Sequence, residues 1–313
     1  MAVFALFVEK SVFEEDILVK KYVFGNFELV LTDEDYPLQQ DEFTKLFLKT
    51  EDKETKYEYM ICENRYDDLE KYTKGQLLER NGLYELYQTS EGKFIIYHWA
   101  RCRLGFGFYL DNLENKNIIT YYFNPAMCAE IPLSVVRFFS CAGIHSKLLQ
   151  KGKIIFHASY IEWKEKGILF CGSSGVGKST QAELWRKYEG ALIINGDRAL
   201  VGWEEGAWRT FGYPCCGSSG ICINRTLPLS AIILLEQGEE NYIEQLTDGQ
   251  KIRMLLAGSE HYLWCEKEME RIYQLSKEMI KEVPVVKLIC RPNEEAVIVL
   301  KKTLEGMIDG CLF

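Results

Sequence analysis

A short run of glycine and hydroxyl residues in the middle of the chain has the composition of an anion-binding loop. Residues 172–179 read GSSGVGKS, which fits the pattern G-x-x-x-x-G-K-[ST] at every fixed position. Glycines let the backbone curl so that successive N–H groups point at one anion. An apolar run, ILFC, precedes the loop and a helix-compatible run, TQAELWRKY, follows it. These flanks favour a phosphate-binding loop over a glycine-rich turn that ends in Lys-Ser by chance.

The residues of this loop are suited to hold a nucleoside triphosphate. The helix that follows would present the positive end of its dipole to the phosphates. Lys178 adds a point charge near the β- and γ-phosphate oxygens, and the Ser179 hydroxyl is a suitable ligand for Mg²⁺. We therefore expect a nucleoside triphosphate and Mg²⁺ as ligands of this loop. The predicted binding set is Gly172, Ser173, Ser174, Gly175, Val176, Gly177, Lys178, Ser179 and Thr180.

Two classes of nucleotide-binding protein that share such a loop are disfavoured. GTPases need an Asn-Lys-x-Asp motif that reads guanine, but the closest spelling, NKN at 115–117, precedes the loop and lacks the acid. Transporter ATPases need a Ser-Gly-Gly-Gln signature followed by an apolar strand that ends in an acidic pair. The segment LTDGQ at 246–250 imitates the signature only in part, and no such strand follows it.

Three further residues are candidates for a catalytic role. Asp197 ends the apolar run ALIIN-G, where a carboxylate is costly unless it is paired or binds a metal; the alternative is a turn cap. His157 lies within a predicted strand, KIIFHAS, and is either a site residue or a core histidine. Arg225 follows the stretch GSSG at 217–220 and would either reach phosphate or lie in solvent. The GSSG stretch itself is either a lid or a plain flexible turn.

Composition limits the classes of partner and the compartment. The 313 residues carry 37 Lys and Arg against 46 Asp and Glu, a net charge of -9, so we expect neither nucleic acid nor a membrane as partner. Eleven cysteines, an odd number, are scattered and several lie in apolar runs. This pattern indicates packing in a reducing compartment, and Cys215, Cys216 and Cys222 lack zinc-site spacing. With no signal peptide and no run long enough for a spanning helix, we expect a cytoplasmic protein.

The pattern of apolar and polar residues along the sequence changes near the middle of the chain. Residues 1–127 read as strands and turns rich in Val, Ile, Tyr and Phe, and we expect a β-rich region there that binds substrate or a partner. A single helix is predicted from Ile131 to Leu149, ended by Gly152. Residues 128–313 then alternate short apolar strands with helices, with a hairpin near 204–206. This predicts an α/β fold: a nucleotide-binding domain with a mixed sheet at 128–313, preceded by the β-rich region.

The order of the motifs resembles the catalytic domain of bacterial HPr kinase/phosphorylase and of the related ATP-dependent phosphoenolpyruvate carboxykinases. The motifs are His157, the loop and Asp197, followed by the segment GYPCCGSSGICINRTLPLSAIILLEQ. The resemblance covers about 130–300. It implies that Lys178 and the loop amides hold the ATP phosphates, and that Ser179 and Asp197 serve the metal. It also implies that an acid beside Asp197 takes the proton of an acceptor serine, and that His157 lies near the transferred phosphate.

The sequence departs from that family at one position. The HPr enzymes carry a tandem Asp-Asp where this chain reads Gly196-Asp197. Either another group supplies the base, with His157 as the candidate, or catalysis is slower, or the acceptor differs. We expect a phosphotransferase that moves the γ-phosphate of ATP to a Ser or Thr hydroxyl of a protein or peptide, with oligomer formation open. The alternatives are a kinase of a small hydroxylated metabolite and a nucleotide-binding regulator without catalysis.

Overall fold

The computed structural model describes residues 19–32, 38–49, 60–66, 68–99, 102–110, 118–123, 134–141 and 143–308. In these ranges the chain has a mixed α/β architecture that contains two β-sheets, and more of its elements are strands than helices. The first sheet comes from the first 123 residues, and the second from the residues that follow 152. This agrees with the change in the pattern of apolar and polar residues along the sequence.

The first sheet has nine strands in the order β3-β1-β2-β4-β9-β8-β7-β6-β5. Its strands β2, β4 and β9 run parallel to one another, and the other pairs are antiparallel. A one-turn helix α1 (Glu42–Lys45) precedes β3, and a 3₁₀ helix (Leu69–Lys74) precedes β5. The strands are β1 Val19–Phe24, β2 Phe27–Thr32, β3 Leu48–Lys49, β4 Met60–Tyr66, β5 Gln76–Arg80, β6 Tyr84–Thr89, β7 Gly92–Trp99, β8 Cys102–Tyr109 and β9 Ile118–Phe123.

Two short helices connect the sheets, where the sequence predicted one. They are α2 (Val135–Cys141) and α3 (Ile144–Gln150). Gly143 lies between them with φ of +64°, a left-handed conformation that interrupts helical hydrogen bonding and that glycine adopts without strain. The prediction of a single helix was therefore wrong, although its apolar face is buried through Phe138, Ile144 and Leu148. Its predicted start at Ile131 lies outside the described residues.

The second sheet contains two long strands, each of which pairs with three neighbouring strands. Its strands are β10 Lys153–Trp163, β11 Lys166–Cys171, β12 Leu192–Asn195, β13 Arg198–Glu204, β14 Ala207–Phe211, β15 Leu227–Gln237, β16 Tyr242–Glu244 and β17 Val285–Cys290. The order is β11-β10-β13-β14-β15-β17-β16, with β12 on β10. A further parallel pairing of β11 with β15 closes β11, β10, β13, β14 and β15 into a ring. The predicted strands and the hairpin at 204–206 are thus present.

Four helices cover the second sheet. They are α4 Lys178–Glu189, α5 Asp248–Gly258, α6 Glu266–Met279 and α7 Glu294–Ile308. Helix α4 packs on β10 and β11 and against α7. Its Trp185 is fully buried against Trp163 of β10, with the two ring systems 5.1 Å apart in an edge-to-face arrangement. This packing fixes the middle of α4 against the far end of β10.

One hydrophobic cluster joins the two sheets. Phe24 of the first sheet packs on Phe139 of α2 and on Tyr213, which follows β14, with ring centroids 5.5 Å apart in both pairs. The predicted boundary between 127 and 128 lies outside the described residues, between the end of β9 and the start of α2. The first sheet therefore packs against the second part of the chain and shares an interface with it.

Among the helices of the described ranges, none is long and apolar enough to cross a membrane. Six cysteines are described as free thiols: Cys171, Cys215, Cys216, Cys222, Cys265 and Cys290. Most of them are buried, as the apolar sequence context predicted.

Candidate functional site

The glycine-rich loop connects the end of a buried strand with the start of a helix. Strand β11 ends at Cys171, and α4 begins at Lys178. Gly172, Gly175 and Gly177 have φ values of +152°, +78° and +110°, which L side chains rarely adopt. A β-carbon on Gly175 or Gly177 would meet no atom within 4 Å, so the requirement for glycine there comes from the backbone conformation. The curled loop predicted from the sequence is present.

The first turn of α4 is open to an anion. Gly177 is its N-cap residue, and no side chain caps the amides of this turn. Ser173, Ser174, Gly175, Ser179 and Thr180 are exposed, so the loop lies at the surface. Positive partial charge at an uncapped helix terminus favours a bound anion.

Lys178 is the buried cation of the loop. Its Nζ donates hydrogen bonds to the carbonyl oxygens of Gly172, at 3.0 Å, and Ser173, at 3.1 Å. Burial lowers the pKa of Lys178, while the charge of Asp197 acts in the opposite direction. The ammonium group is therefore held inside the loop by two backbone carbonyl oxygens.

The turn at Gly196-Asp197 lies beside the start of α4. Strands β12 and β13 pair one after the other with β10, and the turn between them faces the middle of that strand. The Gly196 carbonyl accepts hydrogen bonds from Ser159 Oγ at 2.9 Å and from Ser179 Oγ at 3.4 Å. Thus Ser179 and Asp197, which the sequence predicted as metal ligands, are brought to neighbouring positions.

His157 and Asp197 form a direct pair. The Nε2 atom of His157 lies 2.8 Å from Oδ1 of Asp197, and the other carboxylate oxygen accepts from Arg198 Nη1 at 2.6 Å. Burial raises the pKa of Asp197, but the hydrogen bond with His157 and the charges of Arg198 and Lys178 outweigh burial and lower the pKa below its usual value. The carboxylate is therefore ionised at neutral pH and holds the imidazole in one orientation.

Asn195 fixes the backbone of this turn. Its fully buried side chain accepts at Oδ1 from the backbone N–H groups of Asp197 and Arg198, both at 2.9 Å. Its Nδ2 donates to the carbonyl oxygens of Tyr213, at 2.6 Å, and Cys215, at 3.3 Å. The residue was not singled out from the sequence, although its position directly before Gly-Asp is typical of a side chain that organises a turn.

Arg198 and Glu260 extend the charged group, and sequence reasoning missed both. Arg198 donates from Nη1 to Asp197 and from Nε to Oε1 of Glu260, in the segment that follows α5. Burial lowers the pKa of Arg198, but the charges of Glu260 and Asp197 outweigh that effect and raise it. Only the adjacency of Arg198 to Asp197 could have pointed to it, because Glu260 reaches the site through the fold.

Arg225 is not brought to the loop. Its Nη2 forms an ion pair with Glu162, near the far end of β10. Glu162 lies opposite Gly167, at the start of β11, whereas the glycine-rich loop follows the end of that strand. At about 3.3 Å per residue, Gly167 and Cys171 of β11 are on the order of 13 Å apart. The structure therefore gathers His157, Asp197 and residues 172–180, and places Arg225 in a separate, half-exposed ion pair.

The stretch GSSG at 217–220 covers the Gly196-Asp197 turn. Gly217–Ser219 form a short 3₁₀ helix, and a β-carbon on Gly217, whose φ is +56°, would lie 2.7 Å from Cγ of Asp197. Ser219 Oγ donates to the Cys216 carbonyl at 2.6 Å and accepts from the N–H of Ile221 at 3.2 Å. The stretch is thus an ordered turn in contact with the candidate site.

The residues present suit a hard divalent cation of the Mg²⁺ type. Ser179 and Asp197 offer a hydroxyl and an ionised carboxylate in neighbouring positions, and Mg²⁺ typically takes one or two such oxygens together with substrate phosphates. No group of three or more His, Cys, Asp or Glu side chains that could hold a metal occurs in the part of the chain that the structure describes. The donor set therefore fits a metal that arrives with a phosphate ligand better than a dedicated protein cage.

Comparison with known proteins adds a family. The model of the family described as SynChlorMet cassette protein ScmC matches residues 127–291, more than half of the 313 residues. Among solved structures, the chain is similar to the Hpr(Ser) kinase/phosphatase from Coxiella burnetii at 13% identity, over 50% of this chain and 95% of that chain, with a TM-score of 0.30. A likeness this distant assigns no activity. The comparison with curated proteins finds no match.

Proposed function

The chain belongs to the ScmC family, and we propose that this member is an ATP- and Mg²⁺-dependent phosphotransferase acting on a hydroxyl group. The acceptor that we favour is a Ser or Thr residue of a protein or peptide. One observation carries the proposal: the uncapped loop with Lys178 lies beside the His157–Asp197 pair, joined through the hydrogen bond from Ser179 to Gly196. In this proposal the groups that would bind phosphate and the proton acceptor lie close together, as phosphoryl transfer requires.

The loop amides and Lys178 are the groups that would bind the triphosphate. The positive φ values of Gly175 and Gly177 turn the loop toward the open first turn of α4, where the amides have no side-chain acceptor. Lys178 would exchange the carbonyls of Gly172 and Ser173 for phosphate oxygens. Ser179 and Asp197 would hold Mg²⁺, which neutralises charge on the phosphate oxygens when it is bound.

His157 is the candidate base for the acceptor hydroxyl. Because Asp197 is ionised and accepts at Oδ1, the proton of a neutral imidazole belongs on Nε2, which leaves the lone pair of Nδ1. The hydroxyl proton passes to Nδ1 as the acceptor oxygen forms its bond to the γ-phosphorus. The bond between that phosphorus and the bridging oxygen breaks, and ADP leaves. The imidazolium then releases its proton to solvent. This arrangement needs no second acid at position 196.

Removal of the Lys178 ammonium tests the proposal. Hydrogen bonds to a charged group contribute about 1.5–3 kcal/mol, so Lys178→Ala is expected to weaken Mg-ATP binding by about 10- to 100-fold in calorimetry. Lys187→Ala is the matched control, because Lys187 is exposed and lies farther along the same helix. Equal affinity of the native protein and of Lys178→Ala for Mg-ATP would contradict the proposed nucleotide-binding role of the loop.

The transfer step is tested separately from binding. Native protein is incubated with γ-labelled ATP and either a library of Ser- and Thr-containing peptides or a panel of small alcohols. We expect label on peptides, and we expect its loss in His157→Gln with nucleotide binding retained. Label on small alcohols alone would favour the metabolite kinase. Nucleotide binding without transfer to either set, also in the presence of cell extract, would favour a regulatory protein.

A further inference from the structure

A cavity of about 600 Å³ opens next to Asp197, between the two sheets. The first sheet supplies Tyr84 and Tyr97, and helix α2 supplies Val136 and Arg137. From the second part of the chain, Asp197 and Arg198 lie on its wall together with Gly217 and Tyr262. A volume in this range holds a drug-sized ligand or a short piece of a larger one. The cavity depends on both sheets, so neither part of the chain forms it alone.

The cavity and the glycine-rich loop reach Asp197 from different directions. Asp197 lines the cavity, whereas Lys178 and the rest of the loop do not. Yet Lys178 is close enough that its charge lowers the pKa of Asp197, and Ser179 contacts the carbonyl of the adjacent Gly196. A nucleotide on the loop and a molecule in the cavity would therefore meet at Asp197, the wall residue whose carboxylate binds His157.

Several polar groups on the cavity wall already have partners. Arg198 is held by Asp197 and Glu260, and the Tyr97 hydroxyl is paired with the hydroxyl of Tyr262. The Tyr84 hydroxyl contacts Glu79 and the indole N–H of Trp264. The rings of these three tyrosines offer apolar surface to the cavity, which suits a neutral aromatic or aliphatic group.

Exposed leucines lie at the rim of the cavity and on the last strand of the first sheet. Leu83 lines the cavity and is 67% exposed, and it lies in the turn between β5 and β6. On β5, Leu77 and Leu78 are 41% and 44% exposed. Strand β5 is the last in the order of its sheet, and no strand of the described ranges pairs with its outer side. A ligand that extends beyond the cavity on this side would contact Leu83.

We propose that this cavity is the acceptor site and that it takes a Ser or Thr residue of a peptide whose neighbouring residues are apolar or aromatic. The inference rests on the proposed phosphotransferase function and specifies its acceptor. The hydroxyl lies at Asp197, whose carboxylate also binds His157. The neighbouring side chain packs on the rings of Tyr84, Tyr97 and Tyr262, and the following chain runs over Leu83. A small metabolite would use the cavity but would not reach Leu83.

Two peptide libraries of equal length test the acceptor class. Both carry a central Ser; one has Leu, Phe and Tyr at the flanking positions, and the other has Asp and Lys. With γ-labelled ATP, we expect at least about tenfold more label on the apolar library. Equal labelling of the two libraries, better labelling of free serine or glycerol, or no labelled peptide while Mg-ATP is bound would each overturn the inference.

A pair of leucine substitutions tests the place of binding. Leu83→Glu is expected to raise the KM of the best apolar peptide about tenfold, with kcat and the Kd for Mg-ATP as in the native protein. Leu192→Glu is the control, because Leu192 is 45% exposed but lies on β12 and does not line the cavity. An unchanged KM in Leu83→Glu would contradict this acceptor site but not the proposed phosphotransferase function. Failure of the native protein to bind Mg-ATP would instead contradict the proposed function.

Discussion

Ser219 occupies the space in which a side chain on Gly196 would lie. A β-carbon built on Gly196 would be 2.3 Å from both Cβ and Oγ of Ser219, far inside van der Waals contact. The turn at 217–220 packs directly on Gly196. A side chain at position 196 and the observed packing of this turn therefore exclude each other.

This contact predicts that an acid at position 196 is not accommodated by a single substitution. Gly196→Asp should lower the free energy of unfolding by about 1–3 kcal/mol, the usual range for overpacking, and should not increase phosphoryl transfer. Urea unfolding and a transfer assay measure the two effects. Ser219→Gly removes the side chain that clashes, so Gly196→Asp should cost less in that background. Additive costs in the double-mutant cycle would contradict the contact.

The clamp formed by Asn195 gives a second prediction. Asn195→Ala leaves the N–H groups of Asp197 and Arg198, in a partly buried turn, without their acceptor, and an unsatisfied group costs up to about 1–3 kcal/mol when it is buried. We expect a clear loss of stability in urea unfolding and faster hydrogen exchange of these two amides. Asn81→Ala is a matched control, because Asn81 accepts from the amides of Leu83 and Tyr84 in an exposed turn. Its cost should be smaller, and equal costs would argue against the clamp.

The local elements of the site could be predicted from sequence. The strand, the curled loop and the helix around residues 172–179 follow from apolar runs, glycines and spacing within one stretch of chain. His157 and Asp197 were singled out separately, and the structure places them in contact because β10 pairs with both strands that flank the Gly196-Asp197 turn. Their proposed catalytic roles stay predictions.

Contacts between residues far apart in the chain could not be predicted from the sequence. Glu260 meets Arg198, and Glu162 meets Arg225, through pairings between elements far apart in the chain, which no local pattern encodes. The cavity at Asp197 needs tyrosines of the first sheet, for which the sequence indicated only strands. The break at Gly143 was missed because an isolated glycine is tolerated within many helices, and only its φ value shows the interruption.

The packing of Trp185 gives a third prediction, for the helix that carries Lys178. The side chain is fully buried beside Trp163 and Phe170, so Trp185→Ala should cost about 3–5 kcal/mol of unfolding free energy. Trp203→Ala is the control: Trp203 is 47% exposed, and its loss should cost no more than about 1.5 kcal/mol, the size of an aromatic pair contact with Trp208. Similar costs for the two variants in urea unfolding would contradict the assigned packing.

The carboxylate of Asp197 should make the fold more sensitive to acid. Its pKa in the folded protein lies below the ordinary value of 3.8, so it stabilises the fold above that ordinary value. This contribution is lost as the pH falls through the lowered folded pKa. Urea unfolding of native protein and Asp197→Asn should therefore differ most at pH 5–7 and converge below about pH 4. The exposed Glu240→Gln is the control and should follow the native protein within about 0.5 kcal/mol throughout. A difference between native and Asp197→Asn that stays constant down to pH 3 would contradict an ionised Asp197 held by His157 and Arg198.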